Sequence, residues 1–521
     1  MQTEVLIVGA GPSGLALALW LARQGVAVRI VDRGAGPGRA SRAFALQART
    51  LEHYDRIGLA ADAIARGQVI EAMSVHTGRG RAHRIAFGDF GKGLSPFPFV
   101  LILLQGDHEK LLIDHLAAEG VQVDWNTELV DIDVRDGGLR ARLKGNGGAD
   151  QTCEAAYLCG CDGAGSTVRE LSKIGFPGGA SEAVFYVADL RATGPLVDGE
   201  LHYVTSGDDL CSVFPLKGDG RVRVIGLAPP AVRALKLQID FEDVRPQIER
   251  DTGLEVSLAE SFASYRVHQR IASAWRKGRV FLLGDASHLH SPAGGQGLNA
   301  GVGDAVNLAW KLAAVLRGRA GEALLDTYQT ERVAAARQVA ATTDAGFALQ
   351  ASPGATMGLA RQAMVRLAPA LMGLKPFRLW AFRALSQLGV NYRGVGASAG
   401  AAGLVAGGDR LPWVAAKDGG DNFEALRGVA WQAQVYGAAG APLRAACARL
   451  GLPLRTFEWT PAMGRAGLAR HAVYVVRPDG YVAYASIRQD VEAIGRKLAR
   501  YGVRFEPVLQ TSSPNPQQSP S

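Results

Sequence analysis

An apolar strand running into three spaced glycines, a second strand, glycine loop and helix far downstream, and three alternating strands between them predict an α/β (α+β) fold. A Rossmann-like unit is interleaved with an antiparallel sheet. Residues 5–8 form a short apolar run suited to a buried parallel strand. Gly9, Gly11 and Gly14 follow as Gly-x-Gly-x-x-Gly, with Pro12 and Ser13 in the turn, and residues 15–23 continue with helical spacing. Gly9 permits the turn, Gly11 lets backbone approach a pyrophosphate, and Gly14 lets the helix pack closely on the strand. The helix N-terminus offers its unpaired N–H groups to phosphate. Residues 26–31 supply the next strand, which ends at Asp32, with Arg33 beside it. A carboxylate there accepts hydrogen bonds from an adenosine ribose and repels a 2′-phosphate. In this order the elements read as a dinucleotide site, without separating NAD from FAD.

The downstream succession makes that separation. Residues 279–283 read as a buried strand ending in Gly284 and Asp285, where a carboxylate can hydrogen-bond a sugar alcohol. A flavin carries such a ribityl chain; a nicotinamide nucleotide does not. In the loop 291–299, Pro292 precedes Gly294, Gly295 and Gly297, whose amides can face a ligand, and Leu298 and Asn299 close it. Residues 301–316 then read as a helix. Its positive end suits the pyrimidine edge of a reduced, anionic flavin. Between the two signals, residues 155–169 (AAYLCGCDGAGSTVR) give another apolar strand ending in Asp162 and Gly163. His288 and His290 sit two apart, as do Cys159 and Cys161, but neither pair has a partner set, so no metal is expected.

These ordered motifs resemble the FAD-dependent aromatic hydroxylases, the single-component flavoprotein monooxygenases of the phenol, pentachlorophenol and aromatic polyketide hydroxylase branch. The resemblance adds Arg42, in Ser-Arg-Ala, near the FAD phosphates, and Gln105, opening a helix, at the FAD sugar region. It associates Asp162 and Gly163 with both FAD and NAD(P)H, gives Asp285 the ribityl contact, and places Pro292 and the following glycines at the oxygen-reacting face. The family's closing Tyr-x-x-Glu-Arg is present as Tyr328, Glu331 and Arg332, followed by Val333 and Ala334 where the family usually has proline. The resemblance implies non-covalent FAD, NADPH or NADH as co-substrate, and O2. The reaction it implies is hydroxylation of a phenolic or polyketide-like ring through a flavin C4a-hydroperoxide. Tyr203 and Arg223 on the middle strands, and Tyr392 in GVNYRG, are the candidate substrate residues. Arg223 would stabilise a phenolate and the tyrosines would orient the ring; the plainer reading makes Tyr203 core and Arg223 surface charge.

Other classes fit less well. A flavin-dependent halogenase would carry a Trp-x-Trp pair, absent here, and an NAD(P)-dependent dehydrogenase would leave the 284–299 loop without a purpose. A non-hydroxylating FAD oxidoreductase or flavin-containing binding protein stays as the alternative.

At 521 residues and 48% hydrophobic, the chain is too long for one ordinary domain. FAD-binding segments are expected at 1–75, 98–180 and 270–345, and substrate-domain segments at 76–97 and 181–269. The strands 201–205, 210–214 and 221–227 form an antiparallel meander. A helical connector follows at 346–398, its 355–390 stretch suited to a packing or dimer surface. Residues 399–508 resemble a thioredoxin-like C-terminal domain, with a strand pair turning at 478–480 and a last helix over 489–501. It lacks Cys-x-x-Cys and holds only Cys447, so its role is structural or in oligomerisation. The tail 509–521 reads as disordered. A net charge of +8 is spread without a basic block, which fits a solvated arginine-rich surface better than a nucleic-acid partner. Five cysteines are too sparse for a disulfide framework. No leader or membrane span is visible, so a cytoplasmic location is expected.

Overall fold

Gln2–Val8, Val28–Val31, Asp150–Gly160 and Val280–Leu282 lie side by side in parallel at the centre of an eight-stranded sheet, and their C-terminal residues, 5–8, 30–31, 157–160 and 280–282, are buried and largely apolar. Strands covered on both faces carry such continuous runs. The computed structural model describes residues 1–38, 44–77, 83–86, 90–206, 209–229, 232, 239–289, 293–351, 363, 367, 370–417, 419–490 and 492–505. Pro12–Ala22 packs against both Gln296–Leu316 and Gln105–Ala118. This enclosure explains why residues 14–21 are buried on every side of the helix.

The second sheet also has eight strands, and its middle is the expected meander. Gly178–Thr193, Arg221–Leu227, Asp209–Pro215 and Leu201–Ser206 pair antiparallel in that order. Alternation puts Val204, Val213, Val222 and Val224 on the outer face, against Val244 and Ile248 of the helix Phe241–Thr252. Tyr203, Phe214, Arg223 and Ile225 take the inner face. Leu201–Ser206 also pairs in parallel with Ala72–Thr77, so the chain enters this sheet at Ala72, a little before the expected boundary at 76.

One helix differs from expectation, and a second is continuous where the family usually has proline. The one expected over 301–316 begins at Gln296, because Gly294 (φ +74°) and Gly295 (φ +63°) complete the turn early. Ala323–Ala351 runs straight through Arg332, Val333 and Ala334; with no proline there, no backbone donor is lost. Of the expected 355–390 helical stretch, Lys375–Leu385 is a helix and much of the remainder lies outside the described residues, as does the 509–521 tail.

In the third unit, Gln432–Tyr436, the helix Ala441–Leu450 and Leu454–Phe457 form a parallel β-α-β unit. An antiparallel pair, Val473–Val476 and Val482–Ser486, joins its edge, and the helix Glu492–Ala499 follows, shorter than expected. The turn between the paired strands is not on the surface: Arg477 is 0% and Asp479 1% exposed. All five cysteines are buried free thiols. Among the described residues, no helix is long and apolar enough to cross a membrane.

Candidate active site

The three glycines of the first turn meet different surroundings. A Cβ at Gly9 (φ +103°) would overlap the Cys161 carbonyl, and one at Gly14 would overlap the Gly9 carbonyl; beside Gly11 nothing lies within 4 Å. The first two positions are closed by the protein's own backbone. Gly11 is open, which is the space a pyrophosphate needs to reach the amides of the helix start. Ser13 Oγ then touches both ends of the chain's second signal, since a Cβ on Gly284 or on Gly301 would overlap it. The motifs far apart in sequence meet at this hydroxyl.

Around this centre the carboxylates are held by backbone amides. Asp32 accepts from the N–H groups of Ala10 and Gly34, both at 2.7 Å. Glu109, missed in the sequence reading, accepts from Gly38 N–H at 2.9 Å and from Gln105 Nε2 at 2.8 Å. Burial pushes the Glu109 carboxyl up, and Asp32 adds to the push against those hydrogen bonds. Its signal was its place one helical turn after Gln105. Asp162 accepts from Ser166 Oγ at 2.5 Å and Val168 N–H at 3.1 Å, capping the helix Thr167–Leu171, and burial pushes its carboxyl up. Gly163 (φ +79°) follows it, and Arg33 is exposed.

Asp285 stands exposed after Val280–Leu282. Its turn is fixed from beneath by Asp304, which the sequence reading also missed. Asp304 accepts from Gly284 N–H at 3.0 Å, His288 Nε2 at 2.9 Å and Arg332 Nε at 2.6 Å. Burial pushes the Asp304 carboxyl up, but Arg332 and His288 outweigh it and hold it below the usual range. His288 stacks on Trp275 at 4.9 Å and is a buried hydrogen-bonding residue. Among the described residues no cluster of three metal-binding side chains is assembled.

The glycine loop is clamped by amides. Asn299 Oδ1 accepts from Gln47 N–H at 2.9 Å and Thr50 Oγ1 at 2.7 Å, while its Nδ2 donates to Ala45 O at 2.9 Å and Gly295 O at 2.8 Å. The Asn299 side chain thereby secures the loop. Because the helix starts at Gln296, Gly297 and Leu298 lie in its first turn, where N–H groups have no partner within the helix. Gln296 Nε2 donates to Leu385 O at 2.7 Å, and Gln387 Nε2 donates to Gln296 Oε1 at 2.6 Å. Arg42 and Pro292 lie outside the described residues.

Arg223 is 0% exposed, which excludes the surface-charge reading. Its Nε and Nη2 donate to the two oxygens of Asp189 at 2.6 and 2.8 Å, and Ser261 Oγ donates to the same carboxylate at 3.0 Å. Asp189 stands directly opposite Arg223 in the sheet. The guanidinium lies over Phe44, 5.0 Å from the ring centroid. Half-buried Tyr203 shares an apolar cluster with Phe44, Phe214, Ile225 and Phe382, and Ala45 of that cluster adjoins Gly295. Tyr392 requires correction. It is 1% exposed, accepts from Arg332 Nη1 at 2.9 Å and lies 4.2 Å from the Tyr481 ring of the third unit. The cavity it borders is about 10 Å³, room for a water molecule and not for a substrate ring.

Fold and site define a dinucleotide-binding protein of the flavin type, with an apolar sheet face set over its glycine loop. The family model described as "FAD binding domain" matches residues 2–343. The 6-methylpretetramide 4-monooxygenase of Streptomyces rimosus is 37% identical over 378 residues, 71% of this chain and 66% of that protein, so the chain matches just under two thirds of that relative's length. A flavin-dependent monooxygenase of Mycobacteroides abscessus is 31% identical over 92% of this chain and 96% of its own length. The crystal structure of aklavinone-11 hydroxylase in a ternary complex with FAD and aklavinone superposes with a TM-score of 0.78 at 26% identity, covering 96% of this chain and 99% of that one. The chain belongs to the FAD-dependent aromatic hydroxylase family.

Proposed function

We propose that this chain is an FAD-dependent monooxygenase that uses NAD(P)H and O2 to hydroxylate a phenolic or polyketide-like aromatic ring. The observation that carries the reading is the meeting of the two glycine motifs at Ser13, next to a sheet face that presents Arg223 among aromatic side chains. The names of the similar proteins, 6-methylpretetramide 4-monooxygenase and aklavinone-11 hydroxylase, favour a polycyclic substrate.

The residues present fit FAD. The open side of Gly11 takes the pyrophosphate, Asp32 and Glu109 the adenosine ribose, Asp285 the ribityl hydroxyls, and the first-turn amides of Gly297 and Leu298 the pyrimidine edge. Bound FAD would supply hydride acceptance from NAD(P)H and the activation of O2. The protein's part is to exclude water with the apolar inner face and to hold the ring to be hydroxylated. Arg223 and Asp189 form a bidentate ion pair at that face, whose guanidinium end, turned to a phenol, favours its ionisation. The topology of the third unit supports the thioredoxin-like reading, and its buried turn supports a structural role.

Purified protein should be yellow, release FAD on acid precipitation, and oxidise NAD(P)H faster with an aromatic substrate whose product gains one oxygen. Colourless protein that FAD cannot reconstitute would refute this reading. Asp285→Ala should weaken FAD binding about ten- to a hundredfold by removing charge-assisted hydrogen bonds; unchanged affinity in a flavin titration would remove Asp285 from the cofactor site.

Arg223→Met is expected to lower product formed per NAD(P)H consumed and to release hydrogen peroxide, with FAD retained. Because the single change leaves a buried carboxylate unpaired, the Arg223→Met, Asp189→Leu double variant carries the test. Coupling equal to wild type in that variant would deny Arg223 a part in activating the substrate.

A further inference from the structure

A cleft between the C-terminal ends of Pro12–Ala22 and Gln296–Leu316 and the third unit encloses about 840 Å³, within the range of small-molecule sites. The proposed oxygenation does not use it. At a rise of about 1.5 Å per residue, Ala313 in its wall lies about 22 Å along the helix from Leu298. Its lining holds six arginines against a single carboxylate, Glu119.

Two of the six have local tasks. Arg23 and Arg317 are the C-cap residues of the two helices, where a cation offsets the partial negative charge of the helix end. Arg23 pairs with Glu119 at 2.9 Å and Arg317 with Glu4 at 2.6 Å. The remaining arginines exceed what those ends require. Arg427, an exposed side chain, pairs with Asp55 at 3.3 and 3.4 Å, and Arg504 is exposed. Arg56 is 3% exposed, with Nε and Nη2 donating to the carbonyls of Leu426 and Pro478; burial, with Arg49 nearby, pushes it down to about 9. A concave surface of one sign concentrates ligands of the other.

Aromatic rings share the lining. Trp431 is half-buried, held edge-on by Trp310 at 5.6 Å and by Phe505 at 5.5 Å, which fixes its ring plane among the arginines. Ring faces beside guanidinium groups recognise a flat ring that carries negative charge.

We propose that this cleft is a second ligand site for a nucleoside polyphosphate, its base against Trp431 and Phe505 and its phosphates on Arg427 and Arg504.

FAD-saturated holoenzyme, whose own adenylate pocket is filled, is titrated calorimetrically with ADP, adenosine and inorganic pyrophosphate at low salt. ADP should bind once per chain, with adenosine and pyrophosphate each about tenfold weaker or more. Arg504→Glu and Trp431→Ala should each weaken ADP about fivefold or more while FAD content and circular dichroism match wild type. If Trp431→Ala does not fold, the exposed Arg504→Glu decides. Absence of ADP binding, or ADP binding that survives the decisive substitutions, overturns the site. Pyrophosphate binding as tightly as ADP overturns the nucleoside assignment, leaving a surface that gathers charge alone.

Discussion

Arg477→Met should lower the stability of the protein by about 3–5 kcal/mol, the cost of removing one partner from a buried ion pair. The guanidinium donates to both oxygens of Glu331, at 2.7 and 2.9 Å, and to Asp479 through Nε at 3.0 Å and through Nη2. Glu331 also accepts from Lys311 Nζ and Asn307 Nδ2, each at 2.8 Å. Without Arg477, Glu331 keeps Lys311 as its ion-pair partner, while Asp479 loses the guanidinium that its carboxylate binds. The pH dependence follows. Burial pushes the Glu331 carboxyl up, but Arg477 and Lys311 pull it further down, to about 2. A carboxyl depressed in the folded state adds stability that is complete above its unfolded value near 4.5 and is lost as pH falls through about 2. In Arg477→Met that carboxyl moves up, so acid unfolding should begin at a higher pH. Denaturant unfolding followed by tryptophan fluorescence measures both effects; a change below about 1 kcal/mol would mean that the network is solvated.

Gly11→Val should abolish FAD binding, weakening it about a hundredfold or more, some 2.7 kcal/mol, and leave the fold in place. Gly11 has φ −77° and ψ −179°, a conformation open to any residue, and no neighbour lies within 4 Å of its added Cβ. The new side chain therefore meets the cofactor and not the protein. Gly14→Ala should behave oppositely, because its methyl would overlap the Gly9 carbonyl and force the helix off the strand; this variant should lose soluble expression. The pair separates ligand approach from chain packing. A yellow Gly11→Val protein with normal FAD affinity would contradict the cradle.

What could be read from sequence were constraints met within a few residues of the side chain that shows them. Gly14 is held to glycine by the Gly9 carbonyl in its own turn, and Asp32 accepts from the N–H of Gly34 two residues on. Sequence could show Arg223 as a cation on an apolar strand, but Asp189 becomes its partner only through the register of two antiparallel strands. Asn299 was visible within the loop motif, yet its four hydrogen bonds include three to residues 45–50, a segment brought near only by the tertiary fold. Tyr392 was misplaced for the same reason, since Arg332 and Tyr481 capture it from two other segments. Pro478, Asp479 and Gly480 gave the turn but not its burial.

That buried turn sets an order of events at the ribosome. The FAD-binding segment that the family model matches ends at residue 343, but Lys311 and Glu331 within it await Arg477. At ordinary translation speeds of 5–20 residues per second, roughly 7 to 29 s pass between synthesis of Glu331 and of Arg477. During that interval the nascent chain holds a salt-bridge socket with one arm missing. Completion of the cofactor domain is thus deferred to the last part of the message, and a chain cut short before the turn would leave its first domain unfinished.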